Sequence, residues 1–219
     1  ATISHIVFVG VETAMLISVL VGLFHFKNLD RMHHTLLYYV MVIASMNIVS
    51  HFLAHTTGYN LWLVPISGLV ALFCFSSIYL SHLLEEDNKR FGRLINLIQG
   101  IILFHFIYIM SQIKPTTFHA QTVVYCYLVV VLLSIRYYWR MLSKQIPLDR
   151  KNFLFNSAVL VYFTSSALFF VTTNFLINEA LYLVAPFWIG YSIITLCFYI
   201  YITYKLWQHG KTQNTSLVG

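Results

Sequence analysis

Long runs of apolar residues dominate the chain, and short polar stretches separate them. The runs are apolar on nearly all sides, as Ile101–Ile109 and Tyr127–Leu133 illustrate, so they lack the one-sided pattern of amphipathic helices in soluble proteins. A transmembrane β-barrel would instead alternate apolar and polar residues over segments of about ten residues. The pattern therefore predicts an all-α integral membrane protein.

Seven of these runs have close to the ~20 residues that an α-helix needs to cross ~30 Å of hydrocarbon. The predicted spans are Ile3–Phe26, Thr35–Thr57, Leu61–Leu84, Leu94–Ile113, Thr122–Trp139, Phe153–Ile177 and Leu181–Trp207. The fifth is marginal because Arg136 interrupts it near one end, where a long side chain can reach the interface. We expect a seven-helix transmembrane domain over residues 1–207 and a short polar tail, loosely ordered, over residues 208–219.

The distribution of basic residues predicts the orientation of the spans. With the N-terminus outside, twelve of the 13 Lys and Arg residues fall in inner loops, at inner helix ends or in the tail, and only Lys114 falls outside. Such an excess of Lys and Arg is typical of cytoplasmic loops. We therefore expect an N-terminus outside the cell, a C-terminus in the cytoplasm, and a multi-pass location in the inner (cytoplasmic) membrane.

Composition agrees with a lipid bilayer as the chain's main partner. Hydrophobic residues make up 59% of the sequence and charged residues 9%, whereas about a quarter of the residues of a soluble domain are charged. The net charge of +6 does not indicate nucleic-acid binding, because no basic stripe interleaved with aromatic residues runs along one face. The cysteines Cys74, Cys126 and Cys197 all lie in apolar runs, where cysteine is usually an inert small hydrophobe.

Glu12 lies about nine residues into the first span, and an ionisable group inside a membrane is a functional candidate. Its carboxyl group is suited to transfer a proton or to bind a ligand or a metal. Alternatively, a protonated Glu12 fixes the packing of helices. Asn47 lies inside the second span and Asn156 inside the sixth, and such amides commonly make hydrogen bonds between helices. We treat Glu12, Asn47 and His105 as candidate ligand-binding residues.

Histidines form the second group of candidates. His51 and His55 are four residues apart on one helical face, and His51, His105 and Glu12 come out at similar depth when ~1.5 Å is counted per residue. A Glu with two or three His is a plausible ligand set for zinc or a non-haem transition metal. The candidate metal set is therefore Glu12, His51, His55 and His105.

Two alternatives to this metal set stay open. Interfacial histidines also hydrogen-bond to backbone or lipid headgroups without any metal. Haem ligation is less favoured, because no companion His pair supplies a second axial position. His5 and His119 fall near the same outer rim. The sequence assigns no cofactor.

The remaining histidines and the tryptophans are predicted to lie at surfaces. The inner histidines are expected on a solvated, lipid-facing surface; they are His25, His33, His34 and His82. The tryptophans lie mostly near predicted span ends and are typical of an interface belt rather than of a ligand site; they are Trp62, Trp139, Trp188 and Trp207.

Two short motifs resemble a family of bacterial seven-helix membrane proteins. They are Asn60-Leu61-Trp62-Leu63, which opens the third span, and Phe155-Asn156-Ser157-Ala158 followed by Leu160-Val161-Tyr162-Phe163 in the sixth. In that family the domain occurs alone or as the N-terminal sensor of histidine kinases. The family tends to have a His, a Tyr and then a Glu in the third span, whereas this chain reads Val64-Pro65-Ile66-Ser67-Gly68. A signal site that depends on that Glu is therefore absent or rebuilt, with Glu12 as the candidate replacement.

The resemblance implies a sensor or accessory protein, and no kinase follows the seventh span, so signalling would need a partner chain. The residues contain no nucleophile elbow, phosphate loop or cysteine-rich metal motif, which favours a non-enzymatic role. We expect a protein that acts through a small or lipophilic ligand or through partner membrane proteins. The alternatives are a structural subunit of a larger membrane complex, or a membrane metal- or haem-binding enzyme that uses Glu12 and the outer histidines.

Overall fold

The computed structural model describes residues 2–56, 58, 60–84, 89–112, 120–147, 149–179 and 181–216. Lys114 and His119 lie outside these residues. Seven of the helices in the described part of the chain are long and apolar enough to cross a membrane. The predicted all-α architecture with seven spans is therefore confirmed, and the chain is a multi-pass membrane protein by the length and composition of its helices.

Five of the helices are longer than the predicted spans, whereas α1 and α3 are shorter. They are α1 (Thr2–Phe24), α2 (Arg31–Thr56), α3 (Leu63–Ile78), α4 (Lys89–Gln112), α5 (Gln121–Leu142), α6 (Arg150–Glu179) and α7 (Leu181–Ser216). A 3-10 helix (Phe26–Asn28) follows α1, and a π-helical turn (Tyr79–Leu83) continues α3. Helix α7 runs on past Trp207 to Ser216, so the predicted tail begins as a continuation of the last helix.

Six helices form a ring in the order α1, α2, α3, α5, α6 and α7, which closes back on α1. The fourth helix lies outside this ring and packs on α3 and α5. The core of the ring is aromatic and aliphatic, and its fully buried members include Phe75, Phe155, Phe163 and Ile202. We call the end of the ring where α1 begins the N-side, and the opposite end the C-side.

Close contact between α3 and α5 depends on Gly68. A Cβ atom at this position would lie 2.8 Å from a Val123 methyl carbon and 3.0 Å from the Val123 Cα atom, so a larger residue would push the two backbones apart. Small residues allow such close approach between membrane helices, whose association depends on packing. The absence of a side chain at Gly68 thus sets the distance between two helices of the ring.

A buried hydrogen-bond network joins α5, α6 and the π-helical turn at the C-side. The Asn156 Oδ1 atom accepts hydrogen bonds from the Tyr79 hydroxyl at 2.5 Å and the Ser134 hydroxyl at 2.8 Å. The Asn156 amide donates to the Ser134 carbonyl at 3.2 Å. The prediction that Asn156 bonds between helices is confirmed, and the network satisfies polar groups that would be costly to leave unpaired in a membrane.

Arg136, which makes the fifth predicted span marginal, lies against α4. Its guanidinium carbon is 3.8 Å from the centroid of the Phe91 ring. A cation over an aromatic face is attracted by the electrons of the ring. This contact, rather than a reach to the interface alone, accommodates the charge and helps to hold α4 on the ring.

Candidate functional site

A cavity of about 420 Å³ opens among the ring helices at the N-side. Its walls come mainly from the first half of α1, the second half of α2, the start of α3 and the first half of α7. One residue of α5 and two of α6 complete the lining. These segments meet because neighbouring helices along the chain run in opposite directions. The volume falls in the range of ~300–1,000 Å³ that is usual for small-molecule sites.

Glu12 and His51 form a pair at the wall of this cavity. The His51 Nε2 atom lies 2.5 Å from the Glu12 Oε1 atom, which is within hydrogen-bond distance. The Glu12 side chain is 42% exposed and the His51 side chain is 68% exposed. The pair therefore lies at the mouth of the cavity, where either group is accessible to a ligand.

The other polar groups of the cavity lie near this pair. The Asn47 amide, one turn before His51 on α2, donates to the Met15 sulfur at 3.4 Å. The Ser50 hydroxyl accepts from the Asn60 amide at 2.8 Å. All four of these residues line the cavity, so its mouth carries hydrogen-bonding groups from both α1–α2 and the loop before α3.

Aromatic residues form the inner wall. The six that line it besides Phe8 and Phe170 are Tyr39, Tyr127, Tyr162, Trp188, Tyr191 and Tyr199. Their positions are fixed by ring contacts behind the wall: the Tyr162 ring stacks on Phe198 at a centroid distance of 3.9 Å, and the Tyr191 ring stacks on Phe169 at 4.1 Å. The Tyr39 and Tyr199 hydroxyls hydrogen-bond to each other. The inner wall is therefore aromatic and carries the hydroxyl groups of five tyrosines.

The side chains that line the cavity carry a net charge that is either negative or zero. Glu12 is the one acidic residue among its described lining residues, and none of them is Lys or Arg. His51 is the only lining group that can offset the carboxylate. Together with the electron-rich faces of the aromatic rings, this charge pattern suits a cation better than an anion.

The structure brings together only part of the predicted site. Glu12, Asn47 and His51 line the same cavity, whereas His105 does not. His105 lies on α4, outside the ring, with its ring centroid 5.5 Å from that of Tyr125 and its Nε2 atom buried without a hydrogen-bond partner in the described residues. Helices α3 and α5 separate α4 from the interior of the ring, so the similar depth of the three residues does not bring His105 to Glu12 and His51.

The predicted metal set is not assembled either. His55 is exposed at the end of α2 and does not line the cavity. Within the described residues, the one group of three ligand atoms close enough to share a metal is Asp30, His33 and His209. Glu12 and His51 thus form a pair without a third metal ligand, and the ligand-binding roles of Glu12, Asn47 and His105 stay predictions.

The inner histidines depart from the lipid-facing surface that the sequence suggests. His25 and His33 are buried, each with 8% exposure, and His34 and His82 are half-buried. The reason is the length of α7, whose C-terminal turns cover the turn between α1 and α2. The prediction of a lipid-facing surface is therefore wrong for His25 and His33.

The aromatic wall is the part of the site that the sequence reasoning missed. Trp188 lines the cavity and packs edge-on against Phe169 at a centroid distance of 4.8 Å, so it is not only an interface residue. One signal was available. Tyr127, Tyr162 and Tyr199 lie well inside their spans, away from the membrane interfaces where tyrosines of a belt are found.

Comparison of the chain with models of protein families, with characterised proteins and with solved structures finds no match. The resemblance to seven-helix sensor domains therefore stays a prediction. The candidate site is defined by the geometry of this chain's own residues.

Proposed function

We propose that this protein is a seven-helix membrane receptor of sensor or accessory type that binds a small organic ammonium compound in the N-side cavity. The observation that carries the proposal is the combination of one carboxylate, no Lys or Arg, and six hydroxyl- or indole-bearing aromatic side chains around about 420 Å³. A protonated amine would take the place of His51 as partner of Glu12.

The two ends of the cavity suit the two ends of such a ligand. An ammonium group donates hydrogen bonds to the Glu12 carboxylate and to the oxygens of Asn47 and Ser50, which line the mouth. An apolar or aromatic body occupies the inner part, where tyrosine and tryptophan faces attract both apolar surface and cationic charge. A carboxylate ligand would instead face Glu12 with no Lys or Arg among the described lining residues to offset the repulsion.

The arrangement of helices supports a sensor role. The cavity touches α1, α2 and α7 at once, and α7 extends beyond the cavity to Ser216 at the other side of the ring. A ligand that binds one arrangement of these helices more tightly than another shifts the population toward that arrangement. The family resemblance points to the same kind of role, with a partner chain carrying the signal onward.

The enzyme alternative receives less support. A metal centre built on Glu12 and the N-side histidines would need at least three ligands, and within the described parts of the chain only Glu12 and His51 meet. The structural-subunit alternative rests on exposed apolar helix faces, and such faces equally suit lipid.

We also propose that the N-side faces the outside of the cell and that the protein lies in the inner membrane. The basis is the concentration of Lys and Arg on the C-side. A reporter fused after Gly219 is expected to read cytoplasmic, and one inserted after Gly58 is expected to read external. Reporters that read the same side would overturn the orientation.

The ligand class is tested by thermal unfolding of the purified chain in phosphatidylglycerol nanodiscs, whose headgroups carry no amine. Phenethylamine is the probe and phenylpropionate, of similar size but opposite charge, is its control. A ligand at 100 times its Kd stabilises by about 2.7 kcal/mol, and a chain of this length gains about 2–4 °C per kcal/mol. We expect phenethylamine, and not phenylpropionate, to raise the unfolding temperature by about 5 °C or more.

His51→Gln and His55→Gln form a matched pair of variants on the same helix face. His51 lines the cavity and competes with the amine for Glu12, whereas His55 lies outside the cavity. We therefore expect His51→Gln to raise the phenethylamine affinity and His55→Gln to leave it unchanged. Equal effects of the two variants, or equal stabilisation by the amine and the carboxylate, would overturn the proposed function.

A further inference from the structure

A second group of ligating side chains lies at the C-side, where the turn between α1 and α2 meets the end of α7. Asp30 directly precedes α2, His33 lies in its first turn, and His209 lies near the end of α7. Gly210 makes this approach possible, because a Cβ atom there would lie 2.3 Å from the Cγ atom of His25. Helix α7 thus packs directly against the turn.

Asp30 uses one carboxylate oxygen to begin α2. Its Oδ1 atom accepts the His33 backbone N–H at 2.9 Å and lies 2.6 Å from the His33 ring nitrogen Nδ1, which is the usual arrangement of an N-terminal helix cap. A metal ion bound here would replace the proton that lies between the Asp30 Oδ1 and His33 Nδ1 atoms, since metal ligands must be deprotonated.

His209 approaches the second oxygen of Asp30. The distance from His209 Nε2 to Asp30 Oδ2 is 3.8 Å, which is too long for a hydrogen bond. The Nε2 atom is buried and has no hydrogen-bond partner in the described part of the chain. Two ligands of a tetrahedral zinc ion, each ~2.0–2.1 Å from the metal, lie about 3.3 Å apart. The gap between the two atoms is thus close to one that a shared ion would produce.

We propose that Asp30, His33 and His209 bind one divalent transition-metal ion of the zinc class. One ligand atom from each residue lies within 4.8 Å of the other two. Two imidazoles and a carboxylate are a donor set that zinc and its neighbours accept, whereas Ca²⁺ and Mg²⁺ prefer oxygen ligands. The proposal is independent of the ligand proposed for the N-side cavity.

The surroundings of the site define what the ion would do. The His33 and His209 rings are stacked, with centroids 3.9 Å apart and planes 17° from parallel. A metal ion lies in the plane of each imidazole that binds it, so the two rings would turn toward the ion. The ion would then join the start of α2 to the end of α7. Lys205, one turn before His209 on α7, donates to the Lys151 carbonyl at 3.2 Å. Its ammonium group is therefore directed to α6 rather than to the Asp30 carboxylate.

The test is a calorimetric titration with Zn²⁺ of the full chain, purified without a histidine tag, stripped with EDTA and placed in nanodiscs. We expect one equivalent to bind. Because loss of an outer partner of a metal ligand already costs ~10–100-fold in affinity, we expect His209→Gln to weaken binding by about 100-fold or more. His34→Gln is the matched control, since His34 neighbours His33 on α2 but its Nδ1 atom bonds to the Asp30 backbone carbonyl.

His209→Cys completes the set, because cysteine is itself a zinc ligand and this variant is expected to retain binding. The unfolding temperature of each metal-free variant checks that the chain is folded. The proposal is overturned if the unsubstituted chain binds no saturating equivalent, if His209→Gln binds within threefold of it, or if His34→Gln loses as much affinity as His209→Gln.

Discussion

At the N-side of the ring, Glu12 and His51 face a cavity, whereas at the C-side Asp30, His33 and His209 face one another. The first pair has about 420 Å³ of space beside it, and its walls are aromatic. The second group has stacked rings and ligand atoms within 4.8 Å of one another. Acid and histidine side chains thus occur in both regions, but their surroundings differ.

The difference teaches that the space around a charged group, more than its residue type, determines what it can bind. A carboxylate beside an aromatic cavity recognises an organic cation, because the cavity buries the apolar body while the rings and the carboxylate attract the charge. Converging nitrogen and oxygen atoms without such space recognise an ion whose bonds are ~2 Å long. The two proposals follow from this contrast.

The largest effect is expected for Glu12→Gln, which removes the negative charge of the cavity and keeps its shape. Hydrogen bonds to charged groups contribute about 1.5–3 kcal/mol, which corresponds to a loss of about 10- to 100-fold in phenethylamine affinity. Thr13→Val is the control, because the Thr13 hydroxyl bonds to Val9 within α1 and lies outside the cavity. An unchanged phenethylamine affinity in Glu12→Gln would contradict the proposal that the N-side cavity binds an organic cation through this carboxylate.

The next effect concerns Gly210, where α7 is seated on His25 at the C-side. An added methyl group has no space there, and overpacking costs about 1–3 kcal/mol. We expect Gly210→Ala to lower the unfolding temperature and to weaken Zn²⁺ binding, with phenethylamine binding retained. Gly190→Ala on the same helix meets nothing within 4 Å and is expected to be neutral or slightly stabilising. Equal unfolding temperatures of Gly210→Ala and Gly190→Ala would contradict the close packing of α7 against His25.

Asn156 serves neither site, and its variant separates loss of stability from loss of binding. Asn156→Ala removes three buried hydrogen bonds and leaves the Tyr79 and Ser134 hydroxyls without that acceptor. Hydrogen bonds between membrane helices contribute about 0.6 kcal/mol each on average, so we expect a loss of about 2 kcal/mol in chemical unfolding. Asn152→Ala, one turn earlier on α6, is expected to cost less. If Asn156→Ala selectively lost affinity for phenethylamine or for Zn²⁺, the Asn156 network would contribute to that site.

The smallest effect is expected at Phe91, which lies outside the ring. Phe91→Leu removes the aromatic face under Arg136 and keeps most of the apolar volume, so the expected loss is about 0.5–1 kcal/mol. Phe104→Leu, at a site on α4 that is 72% exposed, is expected to change stability less. Calorimetry and ligand binding are measured on both variants, and a change in either affinity would show that α4 takes part in a site.

The seven helices were predictable because each run is long and apolar, and crossing a bilayer requires little else of a sequence. The depth of Glu12 and His51 was also predictable, since it follows from counting residues along helices. The rotation of each helix about its own axis was not predictable, because runs that are apolar on every face do not indicate which face is inside. For this reason His51 and His55 were indistinguishable, and His105 was placed with them.

The C-side group was missed for a different reason. His209 was assigned to a polar tail, and nothing in its neighbours showed that the last helix would continue far enough to cover His33. Only Asp30 carried a signal, since an Asp three residues before a histidine at the start of an apolar run is a typical helix cap. Contacts between positions about 180 residues apart depend on the packing of the whole ring and not on local pattern.

The most direct test titrates the unsubstituted chain, Glu12→Gln and His209→Gln with two probes, phenethylamine and Zn²⁺, by calorimetry in the same nanodiscs. We expect a double dissociation: Glu12→Gln loses about tenfold or more in phenethylamine affinity and keeps the Zn²⁺ equivalent, and His209→Gln keeps the amine affinity and loses Zn²⁺ binding. Loss of both probes in one variant, or loss of neither in both, would contradict the assignment of an organic cation to one side of the ring and a metal ion to the other.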